Sequence, residues 1–148
     1  MKAVIQRVSR ASVRVGTETT GTIREGLLVL LGVGPGDDEE DAQWMVKKIA
    51  QLRLFEDPSG KMNHSLVDIG GSVLLVSQFT LFGDCRKGNR PSFSKAGPPE
   101  MASKMVDRVM DLLRERGIHT ETGRFGAMMQ VALTNEGPVT LILDTDEG

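Results

Sequence analysis

The protein has 148 residues, a length typical of one domain with one hydrophobic core. Hydrophobic residues make up 39% of the chain and charged residues 26%, which argues against a disordered or membrane-embedded protein. The net charge of −2 argues against wrapping of a long nucleic-acid duplex but is compatible with binding a few nucleotides. We expect one domain over residues 1–148 and, because no signal-peptide pattern opens the chain, a cytoplasmic location.

Cysteine and histidine, the usual ligands of structural zinc, are few. Cys85 is the only cysteine, so no intrachain disulfide is expected, and the two histidines are His64 and His119. A Cys/His zinc site needs more ligands than these. We therefore expect neither a metal nor a cofactor, and interpret these three side chains as structural or exposed.

The N-terminal third mixes β-branched and polar residues, which predicts strands. Residues 2–15 form a strand or a bent strand pair, which Gly16 ends. Residues 19–23 and 26–33 are predicted to form a hairpin that turns near residues 24–26. The second arm is apolar on both faces and is expected to be central in a sheet.

A helix is predicted from Asp38 to about Leu54, since acidic residues in its first turn suit the positive end of the helix dipole. A turn at residues 57–60 and a strongly apolar strand at residues 72–79 follow. Residues 83–99 form a long loop rich in Gly, Pro and basic residues. In the helix predicted from Asp38 to about Leu54, the residues expected to form one buried stripe are Ala42, Met45, Val46, Ile49 and Leu52.

Pro98 and Pro99 begin a second helix, which Gly117 ends. Two strands, at about residues 127–133 and 139–143, close the chain around a turn at 134–138. Three strands precede the first helix, so regular β-α-β alternation is absent from the pattern. These elements favour a single-domain α+β fold with a mostly antiparallel sheet or barrel-like core and two long helices. The apolar stripe of the second helix consists of Met101, Met105, Val109 and Leu112.

The first candidate site is the motif Ser77-Gln78-Phe79-Thr80-Leu81, where a buried strand meets a long loop. Such strand ends commonly carry function because the scaffold is rigid and the loop is open. The hydroxyls of Ser77 and Thr80 and the amide of Gln78 suit a polar ligand. The alternative is that these polar side chains only cap the end of the strand. Taken by themselves, the five residues favour this alternative over a binding site. A hydroxyl nucleophile needs an activating base, and the motif contains none.

The second candidate is the motif at residues 135–140, Asn-Glu-Gly-Pro-Val-Thr. Proline has no N–H to donate, and X–Pro bonds are where cis peptides occur. A cis Gly137-Pro138 peptide would direct two carbonyl oxygens the same way, towards an ammonium group. The alternative is a plain hairpin turn without a binding role. The residues of the motif, taken by themselves, favour this alternative.

The third candidate is a basic loop in which Arg86, Lys87 and Arg90 place three positive charges within five residues. Such a cluster can hold phosphates. The alternative is a solvated loop, the usual outcome for a short charge cluster. In the last strand region, the neighbours Met128 and Met129 point to opposite faces, so one of them could line a pocket.

Taken together, these segments resemble the D-aminoacyl-tRNA deacylase family from end to end. The resemblance includes residues 1–8, 26–33 and 52–55. The family's motifs, Ser-Gln-x-Thr-Leu and Asn-x-Gly-Pro-Val-Thr, are complete at residues 77–81 and 135–140. Both motifs in this order and at this separation make the resemblance specific.

The resemblance implies a homodimer that hydrolyses D-aminoacyl-tRNA at its subunit interface. Ser77, Gln78, Phe79 and Thr80 would form the catalytic pocket, with the 3′-terminal adenosine bound nearby. The Gly137-Pro138 turn of the other subunit, in cis, would bind the amino group of the substrate. An L side chain would collide with that turn, a D side chain would point to solvent, and glycine would be accepted.

An aminoacyl ester is already activated, so catalysis needs positioning and an oxyanion donor more than a protein nucleophile. The backbone N–H groups of Phe79 and Thr80 would be that donor, and the ribose 2′-OH would help to position or activate water. An older interpretation makes Thr80 the nucleophile; it ranks second because no base is visible. Two functions from different classes remain. The complete motifs favour an ester hydrolase, whereas the lack of an acid–base residue favours a non-catalytic module that binds RNA 3′ ends or nucleotides.

Overall fold

Strands and helices follow one another irregularly along the chain, as the sequence predicts for an α+β fold. The computed structural model describes residues 1–147. Its strands are β1 (Lys2–Val15), β2 (Glu18–Ile23), β3 (Gly26–Gly32), β4 (Arg53–Glu56), β5 (Met62–Ser65), β6 (Ser72–Ser77), β7 (Thr120–Thr122) and β8 (Gln130–Asp144). Its helices are α1 (Glu39–Gln51), α2 (Leu66–Ile69) and α3 (Pro99–Glu115), and a 3-10 turn spans Phe79–Phe82.

The main sheet has the order β2-β1-β3-β6-β7, and β8 also pairs with β1, while β4 and β5 form a separate small sheet. β1 is antiparallel to β2, β3 and β8, whereas β3–β6 and β6–β7 are parallel. The edges β2 and β7 approach each other, and the amide of Thr22 donates to Oε1 of Glu121 at 3.4 Å. The predicted α+β class with a barrel-like core is confirmed, and the nearly closed sheet is mixed because β6 and β7 run parallel to β3.

The predicted hairpin between residues 19–23 and 26–33 is wrong. Ile23 pairs with Ala11 and Gly26 pairs with Val8, so β2 and β3 follow each other along one edge of β1. The chain reverses instead at Gly16, whose φ of +59° suits a tight turn. The prediction that the second arm is central is confirmed, because β3 lies between β1 and β6 and is almost wholly buried.

The two predicted long helices are confirmed. Asp38 caps α1: its carboxylate accepts from the amide of Asp41 at 3.2 Å, and the Asp41 carboxylate accepts from the amide of Asp38 at 2.9 Å. α1 ends at Gln51, earlier than predicted, because β4 begins two residues later. Gly117 follows the last turn of α3 with a φ of +78°, as its predicted role requires.

Two clusters of buried side chains hold the elements together. The larger one packs α1 and α3 against one face of the sheet and includes Met45 and Leu113. The smaller one fills the inside of the curved sheet and includes Leu28, Leu74 and Val76, with Met129 and Val131 packed against it. The inner cluster reaches the end of β6, where the chain opens into the first motif.

No helix within residues 1–147 is long and apolar enough to cross a lipid bilayer.

Candidate functional site

A cleft of about 640 Å³ opens where β6 ends, between the mouth of the curved sheet and the start of α3. Ser77, Gln78 and Phe79 of the first motif line it. Met129 lines it as well, whereas Met128 is 89% exposed, so the prediction that one of this pair faces a pocket is confirmed. The remaining lining residues are Val76, Phe93, Ala96, Gly97, Pro98, Pro99, Ala102, Phe125, Gly126, Ala127 and Val131.

The described lining of this cleft contains no titratable side chain. His119 lies elsewhere, with Nε2 at 3.1 Å from Oε2 of Glu121, and His64 lies 4.0 Å from Asp68. Cys85 is exposed and outside the cleft. Among residues 1–147, no three His, Cys, Asp or Glu side chains are grouped so as to hold a metal ion. A catalytic triad is therefore not assembled around the first motif in this chain.

The backbone of the first motif leaves two donors free. The amide of Gln78 donates to the carbonyl of Leu31 at 2.7 Å, and the amide of Leu81 donates to the carbonyl of Gln78 at 3.2 Å. Between them, the N–H groups of Phe79 and Thr80 have no backbone or side-chain acceptor in the part of the chain that the structure describes. They are the first donors of the 3-10 turn, which has no preceding turn to accept them. The hydroxyl of Thr80 accepts a hydrogen bond from Nε2 of Gln78.

The second motif lies in a bulge of β8. Both halves of β8 pair with β1, so the predicted pair of strands with a hairpin turn is wrong: Val8 pairs with Asn135 and Gln6 pairs with Thr140. Residues 136–139 have no partner in this register, and they are pushed out of the ladder. The Gly137-Pro138 peptide is cis, Gly137 has a φ of +114°, and both residues are exposed.

Arg7 and Asn135 fix the base of this bulge. Arg7 is 7% exposed; its Nε donates to the carbonyl of Glu136 at 3.1 Å and its Nη1 to the carbonyl of Leu54 at 2.7 Å. Nδ2 of Asn135 donates to the carbonyls of Arg7 at 2.9 Å and Val139 at 3.0 Å. The Asn of the motif therefore joins both ends of the bulge to β1.

Sequence reasoning missed this role of Arg7. A signal was present, because Arg7 follows Ala3 and Ile5 at every second position of β1 and so lies on the same buried face of the strand. A buried guanidinium needs acceptors, and bulged backbone supplies carbonyls that no strand partner uses.

The two motifs do not meet within this chain. Gly137 lines a second cleft, of about 330 Å³, together with Arg7, Glu56 and Glu136. No residue of this cleft lines the cleft of the first motif. One chain thus presents an open cleft in one place and an exposed bulge in another.

The basic loop is closed at its base and charged at its tip. The amide of Asp84 donates to the carbonyl of Ser92 at 2.7 Å, and the amide of Ser92 donates back to Asp84 at 3.0 Å. Arg86 binds the Asp84 carboxylate through Nε at 3.0 Å and Nη2 at 2.8 Å, and these hydrogen bonds lower the pKa of Asp84 well below its usual range. Lys87 and Arg90 are exposed and form no ion pair with any of residues 1–147. Lys87 and Arg90 are therefore freer than Arg86 to meet phosphates.

Comparison with known proteins identifies the family. The family model described as D-Tyr-tRNA(Tyr) deacylase matches residues 4–144. A D-aminoacyl-tRNA deacylase of Desulfitobacterium hafniense is 58% identical over 147 residues, which cover 99% of each chain. One of Thermus aquaticus is also 58% identical over 147 residues, which cover 99% of this chain and 97% of its own.

Solved structures agree on the fold. A protein described as c-Myc DNA Unwinding Element Binding Protein has a TM-score of 0.92 at 45% identity, covering 98% of this chain and 99% of its own. A protein described as a probable eukaryotic D-amino acid tRNA deacylase has a TM-score of 0.82 at 17% identity, covering 96% of this chain and 97% of its own, and supports the fold alone.

The fold and these whole-length matches place the chain among the deacylases, which are ester hydrolases. It belongs to the D-Tyr-tRNA(Tyr) deacylase family, as its two complete motifs predict. The prediction of a D-aminoacyl-tRNA deacylase is thereby confirmed, and the match decides for the enzyme against the non-catalytic binding module.

Proposed function

We propose that this protein removes D-amino acids from tRNA, and glycine from non-cognate tRNA, in the cleft of the first motif. One observation carries the proposal: two free backbone N–H groups, of Phe79 and Thr80, lie in a motif whose cleft has no titratable lining residue. Such a site suits an ester that is already reactive. It needs a donor for the oxyanion and exact placement of water, and it needs no protein base.

Hydrolysis then proceeds in two steps. Water, positioned by the ribose 2′-OH, adds to the ester carbonyl carbon, and the oxyanion accepts hydrogen bonds from the N–H groups of Phe79 and Thr80. The tetrahedral intermediate collapses with cleavage of the carbon–oxygen bond, and the 3′-oxygen of the ribose leaves with a proton. Ser77 and Gln78 line the same cleft and orient the substrate. The products are tRNA with a free 3′ end and the free amino acid.

Chirality is selected by the bulge at Gly137 and Pro138. The carbonyls of Glu136 and Val139 already accept from Arg7 and Asn135, whereas those of Gly137 and Pro138 lie outside the strand ladder and are available to an ammonium group. Once the ammonium group and the ester carbon are fixed, the two other α-substituents have defined places. The L side chain then meets the bulge, the D side chain points to solvent, and a hydrogen atom fits either place, which is why glycine is also accepted.

The complete site needs two copies of the chain, which form a homodimer. The cleft and the bulge are separate in one chain, as a site built from one cleft and the partner's bulge requires. β8 pairs only with β1 among the strands of residues 1–147, and beside the bulge it exposes Leu141 and Ile142, the latter by 76%. An apolar patch on an edge strand suits contact with a second copy.

The basic loop contributes phosphate contacts. Arg86, Lys87 and Arg90 lie on a loop that leaves the cleft segment directly, so they would meet the tRNA backbone beside the bound 3′ end. Such contacts position the RNA and carry no sequence information. Charged tRNA is a substrate of the cytoplasm, which is where we propose that the enzyme acts.

The first experiment compares deacylation of one tRNA charged with D-tyrosine and with L-tyrosine. We expect fast release of D-tyrosine while L-tyrosyl-tRNA persists. Equal release of the two would point to a general esterase and contradict selection by the bulge. Release of neither, with RNA still bound, would contradict the proposed reaction.

A second experiment tests the shared site by mixing two inactive variants. Ala127→Trp fills the cleft and Gly137→Ala disturbs the bulge, so each homodimer is expected to be inactive. Co-expression gives heterodimers that combine the intact cleft of one chain with the intact bulge of the other. Random pairing should restore about a quarter of wild-type activity, since half of the dimers are mixed and each has one intact site. An inactive mixture would show that each site lies within one chain.

A further inference from the structure

We infer that the aromatic pair of Phe79 and Phe93 is a stacking site for the unpaired nucleotide that precedes the terminal adenosine of the tRNA. The inference rests on the proposed function and extends it from the terminal nucleoside to the single-stranded segment behind it. It is carried by three features of the cleft mouth: an exposed aromatic pair, a rigid support for it, and a local excess of positive charge.

The aromatic pair lies at the mouth of the cleft. The ring centroids of Phe79 and Phe93 are 5.3 Å apart and their planes are inclined by 74°. Phe79 is 57% exposed and Phe93 is 38% exposed, although both also line the cleft. The chain has only five Phe, one Trp and no Tyr, so aromatic side chains are rare. Two of them lie exposed and in contact with each other at one place. An edge-to-face pair leaves ring faces open for a third ring.

Phe93 is held rigidly. It follows Ser92, which is tied to Asp84 by two backbone hydrogen bonds. Its ring packs against Gly83 so closely that a Cβ there would lie 3.0 Å from Cε1 of Phe93. The carbonyl of Phe93 accepts from the amide of Ala96 at 3.1 Å. The ring is thus in place before a ligand arrives, and little conformational entropy is lost on stacking.

The surrounding charge suits a nucleic acid. Residues 83–97 contain four basic residues and one acidic residue, a local charge of +3 in a chain whose net charge is −2. Arg86 and Lys95 share the acidic residue Asp84, and the free charges of Lys87 and Arg90 lie at the tip of the loop. Aromatic rings beside a positively charged track are the pattern by which proteins bind single strands, whose bases stack and whose phosphates are neutralised.

The test measures how much the enzyme gains from the additional nucleotide. The substrates are the D-tyrosyl ester of adenosine and the D-tyrosyl ester of the dinucleotide cytidylyl-adenosine, each cleaved by the full-length protein. Stacking of one base on an aromatic side chain stabilises binding enough to predict a kcat/KM about tenfold higher for the dinucleotide ester. We expect Phe93→Leu to bring the ratio of kcat/KM for the dinucleotide ester to kcat/KM for the adenosine ester close to one, whatever its effect on the adenosine ester itself, and Phe93→Trp to keep the wild-type ratio. Met62→Ala, an exposed apolar residue of β5, is the matched control and should leave both rates unchanged.

The outcomes separate the inference from the proposed function. If wild type cleaves neither ester nor D-tyrosyl-tRNA, the proposed function fails. If wild type cleaves both esters equally well, or if Phe93→Leu keeps the dinucleotide gain, the stacking site is refuted and the deacylase activity stands. A Phe93→Leu protein that dissociates into monomers in light scattering would assign the pair to a contact with a second copy and overturn the inference.

Discussion

The guanidinium of Arg7 lies against the bulge of the second motif, and its Nε donates a hydrogen bond of 3.1 Å to the carbonyl of Glu136. A second hydrogen bond, of 2.7 Å, joins Nη1 of the same side chain to the carbonyl of Leu54, where β4 begins. One buried side chain thus connects β1, the bulge of β8 and the small sheet of β4 and β5. The position of Gly137 and Pro138 depends on this connection.

Arg7→Met keeps the apolar stem and removes both donors. Hydrogen bonds from charged groups contribute about 1.5–3 kcal/mol each, so we expect loss of both to lower the free energy of unfolding by about 3–6 kcal/mol. We also expect the ratio of D-tyrosyl to L-tyrosyl cleavage to fall, because the bulge loses its support. Chemical denaturation and the two deacylation rates measure these effects. Arg14→Ala, which loses an exposed contact to Gln130, is the control and should change neither.

Asn135→Ala removes the two donors that tie Arg7 and Val139 together at 2.9 Å and 3.0 Å. Leaving these carbonyls unpaired costs about 1–3 kcal/mol of unfolding free energy, and hydrogen exchange should accelerate more at the β8 amides that flank the bulge than at the two ends of the strand. Gln130→Ala, at the exposed start of β8, is the comparison. Equal protection of these flanking amides in Asn135→Ala and wild type would disprove the anchoring role.

Gly137→Ala should damage recognition more than stability. A Cβ at this position would lie 2.5 Å from Nη2 of Arg7 and 3.2 Å from Cγ2 of Val139, and the φ of +114° disfavours a side chain. A displacement of about 1 Å at a reacting centre can lower a rate about a hundredfold, and we expect kcat/KM for D-tyrosyl-tRNA to fall by about this factor, which leaves the homodimer nearly inactive. Gly16→Ala also places a side chain at positive φ, but nothing lies within 4 Å, so it should cost about 1 kcal/mol and leave kcat/KM unchanged.

Thr80→Ala distinguishes positioning from nucleophilic catalysis. The hydroxyl of Thr80 contacts Gln78, and no His, Lys or carboxylate forms a hydrogen bond to it among residues 1–147. We expect the variant to retain kcat within about tenfold of wild type, whereas loss of a true nucleophile lowers kcat by about 10⁴-fold or more. Thr80→Ser is the control. A Thr80→Ala protein that folds and binds tRNA but is inactive would restore Thr80 as the nucleophile.

The sequence was sufficient for features that depend on neighbours in the chain. The acidic first turn of α1, Pro99 at the start of α3 and Gly117 at its end are local signals, and each has its predicted role. The first motif was correctly placed at the end of a buried strand. The two free N–H groups of this motif result from the 3-10 turn that begins at Phe79. The spacing of apolar residues in the sequence does not predict such a short turn.

Features that depend on distant partners were not predictable in this way. β2 and β3 resemble a hairpin locally, but both pair with β1, and a local pattern cannot show which strand a segment will pair with. The two halves of β8 also resemble a hairpin locally. Both halves pair with β1 instead, and residues 136–139 are left without a partner in the bulge between them. The buried Arg7 side chain donates to a carbonyl of this bulge, so its role could be recognised only once the pairing register of β1 and β8 was known.

In the proposed function, the bulge at Gly137 and Pro138 offers main-chain atoms to the substrate, and this would limit how the enzyme's preference can change during evolution. A specificity pocket lined by side chains drifts gradually, because each replacement alters size or polarity by a small step. A filter made of backbone has no such series of intermediates: most replacements along β8 leave it intact, and a replacement that moves the backbone removes it. Under the proposed function, handedness is therefore a nearly all-or-none trait of this lineage, whereas the identity of the amino acid is left unread.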